Sequence, residues 1–297
     1  MPEPTASEPS APGISEGPAV REPFGSRLAA AMASKGPLCV GIDPHPGLLA
    51  DWRLNDDVAG LERFSLTVVE AVADLAAAVK PQVALYERHG SAGMAVLERT
   101  LAAAADAGVL TIADAKRGDI GSTMAAYADA WLWDGSSLAA DSVTLSPYLG
   151  FESLRPALDL AAENGRGVFV LALTSNPEGQ SVQHVGGTDS VARRIAAAAA
   201  VENQRYDGAM GSVGLVVGAT IGSALQDLDI DLNAVRGPVL APGLGAQGAN
   251  PADLRRTFGE AYPLVLGTSS RGILAAGPDA VALRSATKET LTGLVDS

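Results

Sequence analysis

Residues 109–123 read Val109-Leu110-Thr111-Ile112-Ala113-Asp114-Ala115-Lys116-Arg117-Gly118-Asp119-Ile120-Gly121-Ser122-Thr123. The first five form a short apolar run that reads as a buried strand. Side chains alternate along a strand, so Asp114 and Lys116 project to the same face at its C-terminal end. Asp119 follows where the chain turns into the next helix. Carboxylates on each side of an ammonium keep it charged, and the ammonium keeps both acids ionised. Such an array suits chemistry in which a carbanion forms and is protonated in place. The same residues also read as a solvated charge run opening a helix, with Asp119 favoured by the helix dipole.

Outward from this stretch the pattern repeats. Apolar runs at 38–42, 79–85, 142–145, 168–173, 213–217, 238–241 and 262–266 alternate with helical stretches. Helices are expected at 26–34, 58–75, 92–107, 125–133, 152–163, 189–203, 222–228, 251–258 and 278–292. Eight such strands over about 250 residues match a (β/α)8 TIM barrel. The continuous Val/Leu/Ile/Ala runs suit parallel strands covered by helices. An open doubly wound sheet is the structural alternative. Residues 1–22, rich in Pro, Ser, Ala and Glu without periodicity, are expected to be a disordered tail, and 23–297 a single barrel domain. Within the tail, Gly13-Ile14-Ser15-Glu16-Gly17 spells a hydrolase elbow, but it lacks the strand before it and the helix after it.

Composition narrows the functions. With 297 residues, 47% of them hydrophobic, the chain can bury a large core. No apolar run approaches the ~18 residues of a membrane span, and the acidic N-terminus has neither the basic start nor the apolar core of a signal peptide. A net charge of −13 argues against nucleic acid as a partner. The single cysteine, Cys39, sits in an apolar strand; a buried, inert thiol and a reducing cytoplasm are expected. Only four of the 21 basic residues are lysine, namely Lys35, Lys80, Lys116 and Lys288. Lysine can release its proton at working pH whereas arginine cannot. Two of the four end expected strands, while Lys35 and Lys288 read as solvated.

In a barrel the chemistry sits at the C-terminal ends of the strands. Those ends carry Asp43-Pro44-His45, Lys80-Pro81-Gln82, the Asp114/Lys116/Asp119 group, Thr174-Ser175-Asn176-Pro177, Gly218-Ala219-Thr220, the 242–248 segment and Gly267 to Gly272. The last two look like a phosphate site, with glycines exposing backbone N–H groups at helix starts and Arg271 adding a bidentate donor. Gly243 to Gly248 also spells the dinucleotide-binding G-x-G-x-x-G. It does not occupy the first βα turn that such a site requires. His45, His89 and His184 are too scattered for a metal set. Trp131 and Trp133 read as core or subunit contacts, and Glu87 as structural.

On these residues the chain resembles the orotidine 5′-phosphate decarboxylases, in particular their longer bacterial branch, from about Phe24 onward. The most specific element is Asp-x-Lys-x-x-Asp-Ile, here Asp114, Lys116, Asp119 and Ile120. Leu38 to Pro44, Lys80-Pro81-Gln82, the 242–248 loop and Ser270 to Leu274 support it. The resemblance implies cofactor-free, metal-free decarboxylation of orotidine 5′-phosphate to uridine 5′-phosphate, the last step of de novo pyrimidine synthesis. Lys116 would protonate C6, Asp114 would lie against the departing carboxylate, and Lys80 would link the ribose to the charge network. Asp43 would bind ribose, Ser175 the pyrimidine edge, and Gln247 and Arg271 the phosphate, with Pro242 packed nearby. The resemblance also implies a homodimer with shared sites, Asp119 entering the neighbouring subunit's site beside Ile120 and Thr123.

Two other functions compete. A magnesium-dependent decarboxylase or aldolase of keto-sugar phosphates would share the strand-three motif. It would also need a carboxylate at the end of strand two, where this chain has the cation Lys80. A non-catalytic phosphate-binding barrel would not need the full polar set.

Overall fold

In a computed structural model, which describes residues 21–245 and 248–296, eight parallel strands close into a barrel in sequence order. They are β1 Leu38–Ile42, β2 Ala78–Pro81, β3 Leu110–Arg117, β4 Ser142–Leu145, β5 Gly167–Leu173, β6 Val213–Val217, β7 Val239–Pro242 and β8 Val265–Ser269. Closure runs through β1 and β8, where Cys39 pairs with Thr268 and Val40 with Ser269. The barrel reading therefore holds and the open sheet falls. The long helices Val58–Val72, Gly90–Asp106, Gly121–Leu132, Arg155–Glu163, Val191–Asn203, Pro251–Phe258 and Ala280–Asp296 pack outside it.

The two-residue period of a strand sorts the interior into a floor and a mouth. One inward set is apolar: Cys39, Ala78, Ile112, Phe169, Val216, Leu240 and Leu266. The helix Phe24–Lys35 closes this end, pressing Phe24 and Leu28 into the same cluster, with Phe24 edge-on to Phe169. Two residues further along β2, β3 and β8 the inward positions turn polar as Lys80, Asp114 and Thr268. Ahead of the closing helix, the Arg21 guanidinium donates to Asp134 and to the carbonyl of Asn164.

Several strands depart from the sequence reading at their polar ends. β3 continues through Arg117 instead of stopping at 113, and β8 lies three residues later than expected, behind the 3-10 helix Gly259–Leu264. β2 ends at Pro81, and the apolar residues after it enter the short helix Ala84–Glu87, which buries Val83 and Tyr86.

Candidate active site

The mouth of the barrel holds a cavity of about 280 Å³. Its walls include Asp43, Lys80, Gln82, Asp114, Lys116, Thr144, Pro242, Thr268, Ser270 and Arg271. Asp114 is its electrostatic centre. Oδ2 accepts from Lys80 Nζ at 2.7 Å and Gln82 Nε2 at 2.9 Å. Oδ1 accepts from Lys116 Nζ at 2.5 Å and Thr144 Oγ1 at 3.0 Å. A carboxylate offers about four lone-pair sites, so its acceptor capacity is filled.

Burial separates the two lysines. The side chains of Lys80 and Asp114 are 7% and 9% exposed, whereas Lys116 is 46% exposed and reaches into the cavity. Burial works against the charge on Lys80. The Asp114 and Asp43 carboxylates outweigh it and hold the ammonium above its ordinary range. Burial likewise opposes ionisation of Asp114, but the ammoniums of Lys80 and Lys116 prevail and hold its carboxyl well below the usual carboxylate range. Beneath them burial pushes the Cys39 thiol up to about 12, so this cysteine stays neutral in the floor.

The backbone around Lys116 is irregular. Ala113 pairs with Val143 and Arg117 with Leu145, so four steps along β3 match two along β4. Lys116 stands at φ +49°, the left-handed region that a residue with a side chain seldom adopts. Past the bulge, Gly118 runs against β4 so closely that a Cβ there would lie 2.2 Å from the Ser146 carbonyl oxygen. Arg117 leaves the barrel outward, paired with Glu87 and lying over the rings of Tyr127 and Trp131. Glu87 is thus spent on an ion pair outside the cavity.

On the opposite wall, Ser270 Oγ donates to Asp43 Oδ2 at 2.5 Å. Asp43 Oδ1 is buried and has no hydrogen-bond partner among the described residues. Asp43 as a residue lines the cavity, with this oxygen covered and its acceptor capacity unused. Arg271 opens the short helix Arg271–Leu274 and lines the rim.

Of the residues expected from sequence, the structure brings together Asp43, Lys80, Asp114, Lys116, Pro242 and Arg271. Ser175 is exposed just beyond β5 beside Gly218, and its neighbour Thr174 takes the place in the wall. Gln247 lies outside the described residues. Asp119, Ile120 and Thr123 are not part of the cavity wall. Within one chain the charge network is Lys80–Asp114–Lys116, and Asp119 makes no ion pair with Lys116. Asp119 Oδ1 instead accepts the Ile120 N–H at 2.7 Å. The expected phosphate donors in the β7 loop also change. Gly245 N–H donates to the Ala249 carbonyl and Gly248 N–H to the Gly245 carbonyl, so both are used within the loop. Sequence reasoning gave no role to Gln82, Thr144 or Ser270. The first was detectable as the inward residue two beyond Lys80, and Thr144 as a hydroxyl within the short apolar strand β4.

Fold and site together define a (β/α)8 enzyme that places a lysine–carboxylate–lysine centre at the mouth of its barrel. Residues 36–286 match the family described as orotidine 5′-phosphate decarboxylase / HUMPS. The chain belongs to this family. An orotidine 5′-phosphate decarboxylase of Streptomyces coelicolor is 59% identical over 267 residues, covering 89% of this chain and 94% of that one. That of Corynebacterium glutamicum is 48% identical over 271 residues, covering 90% and 96%. Among solved structures, a Streptomyces avermitilis protein provisionally assigned to the same enzyme aligns with TM-score 0.89 at 56% identity, over 95% of this chain and 98% of that one. The Leishmania donovani OMP decarboxylase aligns with TM-score 0.73 at 30% identity, over 92% and 97%.

Proposed function

We propose that this chain decarboxylates orotidine 5′-phosphate to uridine 5′-phosphate and CO2, closing de novo pyrimidine nucleotide synthesis. The observation that carries this reading is Asp114 held between buried Lys80 and cavity-facing Lys116. The C6–carboxyl bond breaks, its electron pair remains on C6, and Lys116 Nζ delivers the proton that makes the C6–H bond. With no delocalising group beside that carbanion, a preorganised cation supplies the stabilisation. Asp114 is already saturated with donors, so it serves as a fixed negative charge beside the leaving carboxylate and does not relay protons.

The Asp43 carboxylate in the cavity wall suits a ribose hydroxyl. Arg271 at the rim suits the phosphate, with Pro242 in the same wall; Gln247 is proposed as a second phosphate ligand and Ser175 as the partner of the pyrimidine edge. Grip on the remote phosphate can then drive loop closure and lower the barrier at C6. Lys80 also separates this reading from the magnesium-dependent keto-sugar rival, because the ammonium lies where that chemistry needs an acid.

Site completion by a second copy belongs to the same proposal. Asp119, Ile120 and Thr123 follow β3, where Ile120 is 61% exposed. Across the adjacent β4 loop Tyr148 is 79% exposed, which leaves an apolar surface for a two-fold partner. A cytoplasmic location fits the buried, unpaired Cys39. Among the described residues no helix is long and apolar enough to cross a membrane. Replacing Lys116 with Ala is expected to abolish decarboxylation while binding of uridine 5′-phosphate by calorimetry persists. Near-wild-type turnover in that variant would overturn the assignment.

A further inference from the structure

We infer that Thr144 is a positioning residue for Lys116, a role that rests on the decarboxylase reading above. Thr144 is the one β4 residue facing the β3 bulge, between the Ala113–Val143 and Arg117–Leu145 pairs. The bulge takes Lys116 out of the strand ladder and into the left-handed region. Its N–H then needs another acceptor, and Thr144 Oγ1 supplies it at 2.9 Å. The same hydroxyl lies 3.0 Å from Asp114 Oδ1, the oxygen that also accepts Lys116 Nζ.

The directions of these bonds are forced. A backbone N–H can only donate and an ionised carboxylate can only accept, so the hydroxyl accepts from Lys116 and donates to Asp114. One buried side chain, 1% exposed, thus ties the strained root of Lys116 to the carboxylate that holds its tip. Lys116 is half exposed and Asp114 is the side chain that holds its ammonium. Without the tie, the position of Nζ over the cavity would depend on a backbone conformation that is unfavourable by itself. Deprived of the hydroxyl, the part-buried Lys116 N–H would also lose its partner, which favours relaxation of the bulge.

The test compares Thr144→Val, which keeps the shape and removes the hydroxyl, with Thr144→Ser, which keeps the hydroxyl. The expected result is a kcat lowered about 10- to 100-fold in Thr144→Val, the scale of a misplaced reacting group. KM and affinity for uridine 5′-phosphate should stay within about twofold. Thr144→Ser should recover most of the loss. An unchanged kcat in Thr144→Val, or a Thr144→Ser variant as impaired as Thr144→Val, would overturn the role. Should Thr144→Val fail to fold, Thr144→Ala removes the same hydroxyl without a buried methyl facing the carboxylate. Crystal structures of the variants give a readout independent of turnover. Lys116 leaving φ near +49° or losing its contact with Asp114 supports the inference, and unchanged geometry contradicts it. A wild-type enzyme with no turnover would count against the decarboxylase reading, while this structural comparison would still decide the role of Thr144.

Discussion

At the scale of the residue, Asp114 decides how the site is built. Its carboxyl stays ionised in a buried place because two ammoniums and two neutral donors surround it. Removing one partner of a buried ion pair leaves the other charge uncompensated, which costs about 3–5 kcal/mol. Asp114→Asn is therefore expected to lose stability on that scale in urea unfolding at pH 7, since Lys80 cannot move its charge to water. The sign with pH follows from the lowered folded-state pKa. The carboxylate's contribution is complete above the ordinary carboxylate range, near pH 4, and is lost as pH falls toward the depressed value. The gap between wild type and Asp114→Asn should thus be widest at neutral pH and shrink in acid. A gap that grows on acidification would contradict this account. Asp114 and Lys116 were legible in the sequence because two-residue spacing puts them on one face. The saturation of Asp114 was not, because Gln82 follows β2 and Thr144 lies on β4, and only the barrel register brings them to it.

At the scale of the element, the strands were read best where they are apolar and worst where they do chemistry. β1, β4 and β6 match expectation at both ends. β3 and β8 were cut short or shifted because Asp114-Ala115-Lys116 and Gly267-Thr268-Ser269 resemble loop, yet the ladder carries them into the mouth of the barrel. The apolar run 79–85 exceeds β2 because a short apolar run does not distinguish a strand from one turn of buried helix. The seam between β1 and β8 offers a test of how strand packing sets the site. A Cβ on Gly41 would lie 2.5 Å from the Ser270 Cβ and 3.2 Å from Asp43 Oδ2. Gly41→Ala must displace the Asp43–Ser270 pair, an overpacking of ~1–3 kcal/mol. Steady-state kinetics should show KM raised by about tenfold, equivalent to ~1.4 kcal/mol, with a smaller change in kcat. An unaltered KM would mean that this pair does not contact the substrate.

At the scale of the whole molecule, the barrel accounts for most of the site but leaves Asp119, Ile120 and Thr123 outside the cavity wall. A partner that supplies Asp119 makes a sharp prediction about mixed dimers. Asp119→Ala and Lys116→Ala chains, each inactive alone, would form heterodimers with one intact and one doubly damaged site. Half of randomly assorted dimers are mixed and half of their sites intact, so co-refolding should restore about a quarter of wild-type activity. No recovery, with heterodimers demonstrated, would place both residues in one chain. The closed barrel was legible from eight apolar runs. The side of the molecule on which Asp119 acts was not, since sequence spacing says nothing about which subunit a turn faces. The claim on which everything else rests is the reaction itself. Chelator-treated protein mixed with orotidine 5′-phosphate should consume the substrate's ultraviolet absorbance and release one CO2 for each uridine 5′-phosphate formed; no decay, or a decay that requires added Mg²⁺, would contradict it.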